Sequence, residues 1–147
     1  MSESVEAPAE AGLAVGHAPD PLHALAYLST PTAPFSDRDL SDLLLAARTW
    51  NAAHGVTGKL IVLEQDGRIV RFAQWIEGPQ TALEACARRI LGDDRHAGVD
   101  VRRRGPVAAR RFPGWDMAFE PAAPDAYPAE ADALTGGSPG GPTGDAS

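Results

Sequence analysis

An α+β domain, with two helices covering one face of a sheet, is the fold class this sequence predicts, and three observations predict it. The apolar residues change period along the chain, from strand-like alternation to helical spacing and back. Cap and turn signals stand where the period changes, at Ser36, Gly55, Asp66-Gly67 and Gly78-Pro79. The 147 residues, 44% of them hydrophobic, suffice for one domain with one core.

His23–Ser29 is a short apolar strand (β1). Ser36 comes next as a helix N-cap, with Asp39 three residues on completing an approximate capping box, and Phe35 and Leu40 placed to staple the entry. Leu40, Leu43, Leu44 and Ala47 recur at helical spacing, so a helix (α1) runs to about His54, where Gly55 ends it. Lys59–Glu64 (β2) and Ile69–Ile76 (β3) are strands joined by Asp66-Gly67, a pair suited to a type I′ turn because both positions need positive φ. Gly78-Pro79 opens a second helix (α2) with Pro at its first position and an apolar stripe of Leu83, Ala87, Ile90 and Leu91; Gly92-Asp93-Asp94 closes it. Val99–Val107 is a fourth strand (β4), Arg110–Gly114 a turn or short helix, and Trp115–Phe119 a short last strand. The order is that of a ferredoxin-like β-α-β-β-α-β sandwich with an additional C-terminal strand, an arrangement that sets β1 beside β3.

The net charge of −7 is unevenly distributed. Residues 1–20 carry Glu3, Glu6, Glu10 and Asp20, and residues 120–147 carry Glu120, Asp125, Glu130, Asp132 and Asp145, with no Lys or Arg in either stretch. Both are rich in Ala, Pro and Gly and read as disordered acidic tails around a slightly basic domain at 21–119. The single cysteine, Cys86, excludes an intrachain disulfide and suits a reducing compartment. No basic-then-apolar leader opens the chain, and no apolar run reaches the roughly 18 residues of a membrane helix, so the expectation is a soluble cytoplasmic protein. His23, His54 and His96 lack metal-ligand spacing. Arg102-Arg103-Arg104 alternates between two faces of a strand, which argues against a nucleic-acid patch. No phosphate loop, nucleophile elbow or acid/base carboxylate pair suggests an enzyme.

Polar residues stand where the pattern wants apolar ones. Alternation puts Val70, Phe72, Gln74 and Ile76 on one face of β3, so Gln74 falls in a core face. An unpaired buried amide costs roughly 1–3 kcal/mol, and something must satisfy it. Tyr27 poses the same question in β1, and the two can meet under the helices. Asn51, eight residues after Leu43, lies on the same side of α1. On pattern alone, a Tyr–Gln bond that merely satisfies the core and a polar cluster facing a ligand both remain open.

The ordered set of motifs is more specific. Leu25-Ala-Tyr27-Leu-Ser29, Asn51-Ala-Ala-His-Gly55-Val-Thr-Gly58, Phe72-Ala-Gln74-Trp-Ile-Glu77-Gly78, Asp94-Arg95-His96 and Phe112-Pro-Gly-Trp115-Asp-Met117-Ala-Phe119 resemble, in that order, the signatures of the BLUF domain family. The resemblance implies a non-covalently bound flavin, FAD with FMN or riboflavin as alternatives, held between the two helices. It implies Leu43 and Ile90 on the two sides of the ring, Asn51 on its pyrimidine edge, Gln74 between Tyr27 and the ring, and Arg89 or Lys59 near the phosphates. It also implies a blue-light photoreceptor: electron and proton transfer from Tyr27 to the flavin, rearrangement of Gln74, and a reversible red-shifted state. Trp115 and Met117, on one face of the last strand, would relay that state to a separate protein partner or to another copy of the chain. Three departures stand out. Trp50 replaces a second hydrogen-bonding residue with an indole that only donates. The Leu63–Arg71 hairpin is several residues longer than usual, and Trp75 beside Gln74 is bulky and faces the other side of the sheet. The rival readings are a light-insensitive flavin or small-ligand module and a cofactor-free oligomerising domain of the same fold.

Overall fold

The computed structural model describes residues 20–136. The elements are β1 (Leu22–Pro31), α1 (Asp37–His54), β2 (Thr57–Gln65), β3 (Arg68–Pro79), α2 (Gln80–Leu91), β4 (His96–Pro106), β5 (Ala118–Ala122) and α3 (Tyr127–Thr135). The strands form one five-stranded sheet in the order β4-β1-β3-β2-β5. Its pairings are antiparallel except for β2 with β5, which is parallel. The expected neighbours β1 and β3 are hydrogen-bonded, in a register that sets Tyr27 directly opposite Gln74.

The local signals act as expected except at Pro79, which is the N-cap of α2 rather than its first helical residue. Ser36 Oγ accepts from Asp39 N at 3.1 Å and Asp39 Oδ2 accepts from Ser36 N at 3.0 Å, closing the capping box of α1. Gly55 caps its other end in the left-handed region, with φ 71°. Asp66 and Gly67 both have positive φ in the β2–β3 hairpin. Gly58 is required for a different reason: a Cβ there would lie 2.1 Å from Trp75 O, so only glycine lets β2 approach β3 this closely.

The sheet buries both faces. On one, Leu25, Tyr27, Phe72 and Ile76 pack under α1 and α2 through Leu40, Leu44, Leu83 and Ala87. On the other, Ala24, Ala26, Ile61, Ala73 and Trp75 pack against Tyr127, Ala131 and Leu134 of α3. Three expectations are corrected here. Val70 does not share the face of Phe72: a register shift at Leu63/Glu64 puts Ile69 into the core instead. The last strand is Ala118–Ala122 rather than Trp115–Phe119. Residues 120–136 do not belong to an unfolded tail, because Tyr127, Ala131 and Leu134 recur at helical spacing and cover the second sheet face, with Tyr127 OH donating to Phe72 O at 3.0 Å. Of the tails expected over 1–20 and 120–147, residues 1–19 and 137–147 lie outside the described residues. No described helix is long and apolar enough to cross a membrane.

Candidate functional site

α2 lies close against β1 and β3, whereas α1 stands further off the sheet. The space left between the helices is a cavity of about 210 Å³. Its walls are apolar on the helix side, where Leu43 and Leu44 of α1 and Ile90 of α2 line it, and the edge-on pair Phe35 and Phe72 also lines it. Its floor is the polar pair of the sheet. Tyr27 OH donates to Gln74 Oε1 at 2.5 Å, and Gln74 Nε2 points to the thioether of Met117 at 3.4 Å.

The electrostatics of the floor derive from burial. Removal from water pushes the Tyr27 phenol well above its ordinary value, with smaller contributions from Cys86 and Asp93, so Tyr27 is held as a neutral donor. Burial likewise pushes the Cys86 thiol up to about 11, against the pull of Arg89. His96 rests edge-on to Tyr27 with ring centroids 5.8 Å apart, and its two nitrogens meet Ser29 Oγ and Ile90 O, each at 2.7 Å. The imidazole thus ties β1 to the end of α2 across the cavity.

Tyr27, Leu43, Asn51, Gln74, Arg89 and Ile90 all line this one cavity. Trp50 is not part of the lining: its indole stacks on His54 at 3.9 Å and also carries the Arg89 guanidinium, 4.9 Å from the ring centre. Lys59 is also elsewhere, paired with Glu120 at 2.7 Å. Trp115 and Met117 do not share a face. Met117 is 3% exposed and touches Gln74, whereas Trp115 is 59% exposed and contributes its carbonyl to Gly58 N. Residues 112–117 form a turn, with Gly114 at φ 83°, so strand alternation does not apply to them.

Several lining residues are not assigned to the site by sequence reasoning: Phe35, Cys86, Asp93, Arg95 and His96. The run Asp94-Arg95-His96 is the available sequence signal for the last two. Arg95 and Asp93 are fork-paired at 2.6–3.0 Å at the mouth.

The donor set fits a flat heteroaromatic ligand. Asn51 is 2% exposed and donates to Asp116 O at 2.7 Å, while its Oδ1 accepts no hydrogen bond among the described residues. Gln74 has one amide hydrogen with only a thioether for a partner. A ring with its own donors and acceptors, slotted between Leu43 and Ile90, would supply what these amides lack.

The profile of a family described as sensors of blue-light using FAD matches residues 22–118. Among solved structures, the dark state of BlrB, a BLUF protein, is 32% identical over 75% of this chain and 78% of its own, with a TM-score of 0.63. Klebsiella pneumoniae BlrP1 with FMN and cyclic diGMP is 29% identical over 78% of this chain, with a TM-score of 0.60; this chain spans only 30% of BlrP1. BlsA in its photo-activated state is 23% identical over 73% of this chain and 74% of its own, with a TM-score of 0.57, a likeness of fold. No curated protein matches.

Proposed function

The chain belongs to the BLUF family of blue-light sensors that use FAD, and from that premise we propose that the α1–α2 cavity holds the flavin and that Tyr27 and Gln74 convert its excitation into a structural signal. The observation that carries this reading is the buried Tyr27–Gln74 hydrogen bond on the floor of a cavity in which Asn51 Oδ1 accepts no hydrogen bond among the described residues and Gln74 Nε2 meets only a thioether. Leu43 and Ile90 would hold the ring by its faces, Asn51 and Gln74 would meet its polar edge, and Arg89 would serve the phosphate end. FAD is the proposed form, in line with the family description; the FMN seen with BlrP1 marks the alternative.

When bound, the flavin supplies blue-light absorption and an excited state able to accept an electron. The protein's part of the reaction belongs to three side chains. Tyr27 is a neutral phenol; once it gives up an electron its hydroxyl proton becomes strongly acidic, and the return of both electron and proton restores the phenol. Gln74 Oε1, at 2.5 Å, is the group positioned to share that proton. A half-turn of the Gln74 amide exchanges its oxygen and nitrogen. The rotated amide turns Nε2 toward a phenol that had been donating, and Oε1 toward a thioether that cannot donate. The protein therefore favours the original orientation, which accounts for return in the dark. Met117, in contact with Gln74, is the first residue to feel the rotation, and the proposed route to a partner protein runs through it.

The test is an absorption spectrum of the purified flavin-loaded chain before and after blue light, with the released flavin identified by mass. A small red shift that decays in the dark supports the reading; a flavin spectrum that does not respond supports a light-insensitive binding module instead.

A further inference from the structure

Glu77 is fully buried on the sheet face opposite the cavity. Four donors converge on its carboxylate. Trp75 Nε1 and Arg111 N donate to Oε1, both at 2.8 Å, and Phe112 N and Thr57 Oγ1 donate to Oε2 at 2.7 and 3.0 Å. Arg110 adds a second layer, donating to Thr57 Oγ1 at 2.8 Å and to Gly55 O at 2.8 Å. Nothing in the photoreaction uses this carboxylate, yet a buried anion with four partners is expensive to assemble and intolerant of losing one.

Its partners explain what it holds. Arg111 and Phe112 begin the segment whose far end reaches the cavity side, where Asn51 Nδ2 donates to Asp116 O and the Arg48 guanidinium donates twice to Met117 O, at 3.0 and 2.9 Å. The Arg111 side chain turns the other way, across the Trp75 ring at 4.4 Å, and donates to Leu134 O and Ala133 O at the end of α3, at 2.7 and 3.2 Å. One segment thus touches Gln74 at one end and α3 at the other, and Glu77 is the fixed point between them.

We propose that Glu77 is a positioning residue of the photoreaction: it anchors residues 110–117 so that Met117 stays on Gln74, and through Arg111 it couples that segment to α3. The proposal rests on the reading of Tyr27 and Gln74 as the light-responsive pair. Glu77→Gln is the sharpest perturbation because it keeps the shape and replaces one accepting oxygen with a donor, so whichever way the amide turns, at least one backbone N–H faces an N–H. Arg111→Ala keeps the backbone N–H on Glu77 and removes the side chain that reaches α3 across the Trp75 ring.

The experiment compares flavin-loaded wild type, Glu77→Gln and Arg111→Ala by the rate of dark recovery and by the rate of proteolysis within residues 123–136. The expected result is that Glu77→Gln still shifts on illumination but recovers about fivefold more slowly, the loss corresponding to one buried hydrogen bond, and that its α3 is cleaved faster. Arg111→Ala should recover at the wild-type rate while its α3 is also cleaved faster. Recovery of Glu77→Gln at the wild-type rate, or unchanged proteolysis in both variants, overturns the proposal. If Glu77→Gln does not fold, Thr57→Val, which removes one donor and the rest for Arg110, carries the same test with a smaller slowing expected and an unchanged rate refuting it. Wild type that never shifts refutes the Tyr27–Gln74 reading itself, and the proteolysis comparison then judges the α3 link alone.

Discussion

Tyr27→Phe deletes a single oxygen and leaves the ring in its edge-on contact with His96. The oxygen removed is the donor to Gln74 Oε1, a buried acceptor with no other partner among the described residues. Because burial keeps the phenol neutral, the bond is between neutral groups. The bond itself is worth about 1 kcal/mol, and the stranded Gln74 oxygen raises the total to about 1–2 kcal/mol. At roughly 4 °C per kcal/mol for a domain of this size, the flavin-free protein should melt about 4–8 °C lower. Urea unfolding should give a lower midpoint at an unchanged slope, since the surface exposed is the same. The flavin should still bind, because the walls and Asn51 are untouched, but blue light should produce no reversible shift. A variant as stable as wild type would refute the bond as a structural element; one that keeps the shift would refute Tyr27 as the electron and proton source.

Two further outcomes derive from burial. The Cys86 thiol, raised from 9.0 to about 11 in the folded state, ionises first in the unfolded chain as pH rises, so its contribution is intact below about pH 9 and is lost by about pH 11. Two units correspond to roughly 2–3 kcal/mol, and urea midpoints measured across that window should fall less steeply for Cys86→Ala than for wild type; parallel curves would contradict the assignment. Leu134→Ala, at a position 4% exposed in the core beneath α3, should lower stability by about 2–4 kcal/mol in urea unfolding while leaving flavin binding intact, and a loss under 1 kcal/mol would mean that α3 is not docked as described.

Ser36, Gly55 and Asp66-Gly67 are legible because each acts within a few residues of chain, where sequence and geometry are directly linked. The Tyr27–Gln74 pair is legible for a second reason: the order of elements makes β1 and β3 neighbours, and alternation then turns both side chains to one face. Expectation and structure part where a local rule meets a non-local event. A register shift moves the core position from Val70 to Ile69, which no alternation count anticipates. Averaged composition over residues 120–147 hides the spacing of Tyr127, Ala131 and Leu134 among prolines and glycines. Met117 and Trp115 separate because residues 112–117 turn instead of extending. Trp50 sits beside Asn51 in the chain, which suggests a ring contact, but a one-residue step on a helix rotates a side chain by about 100°, enough to carry it onto His54 and Arg89. Glu77 looks like an ordinary charged residue at a strand end; two of its partners are backbone N–H groups on a distant segment, and only the folded chain brings them together.

The most direct test of the Gln74 switch is the light-minus-dark absorption spectrum of flavin-loaded wild type recorded beside Gln74→Leu. Wild type should give a small red-shifted difference that decays in the dark, and the variant, with no amide to rotate, should bind flavin and give none. A variant that shifts and recovers like wild type would contradict the account, because the signal would then arise without the residue on which it depends.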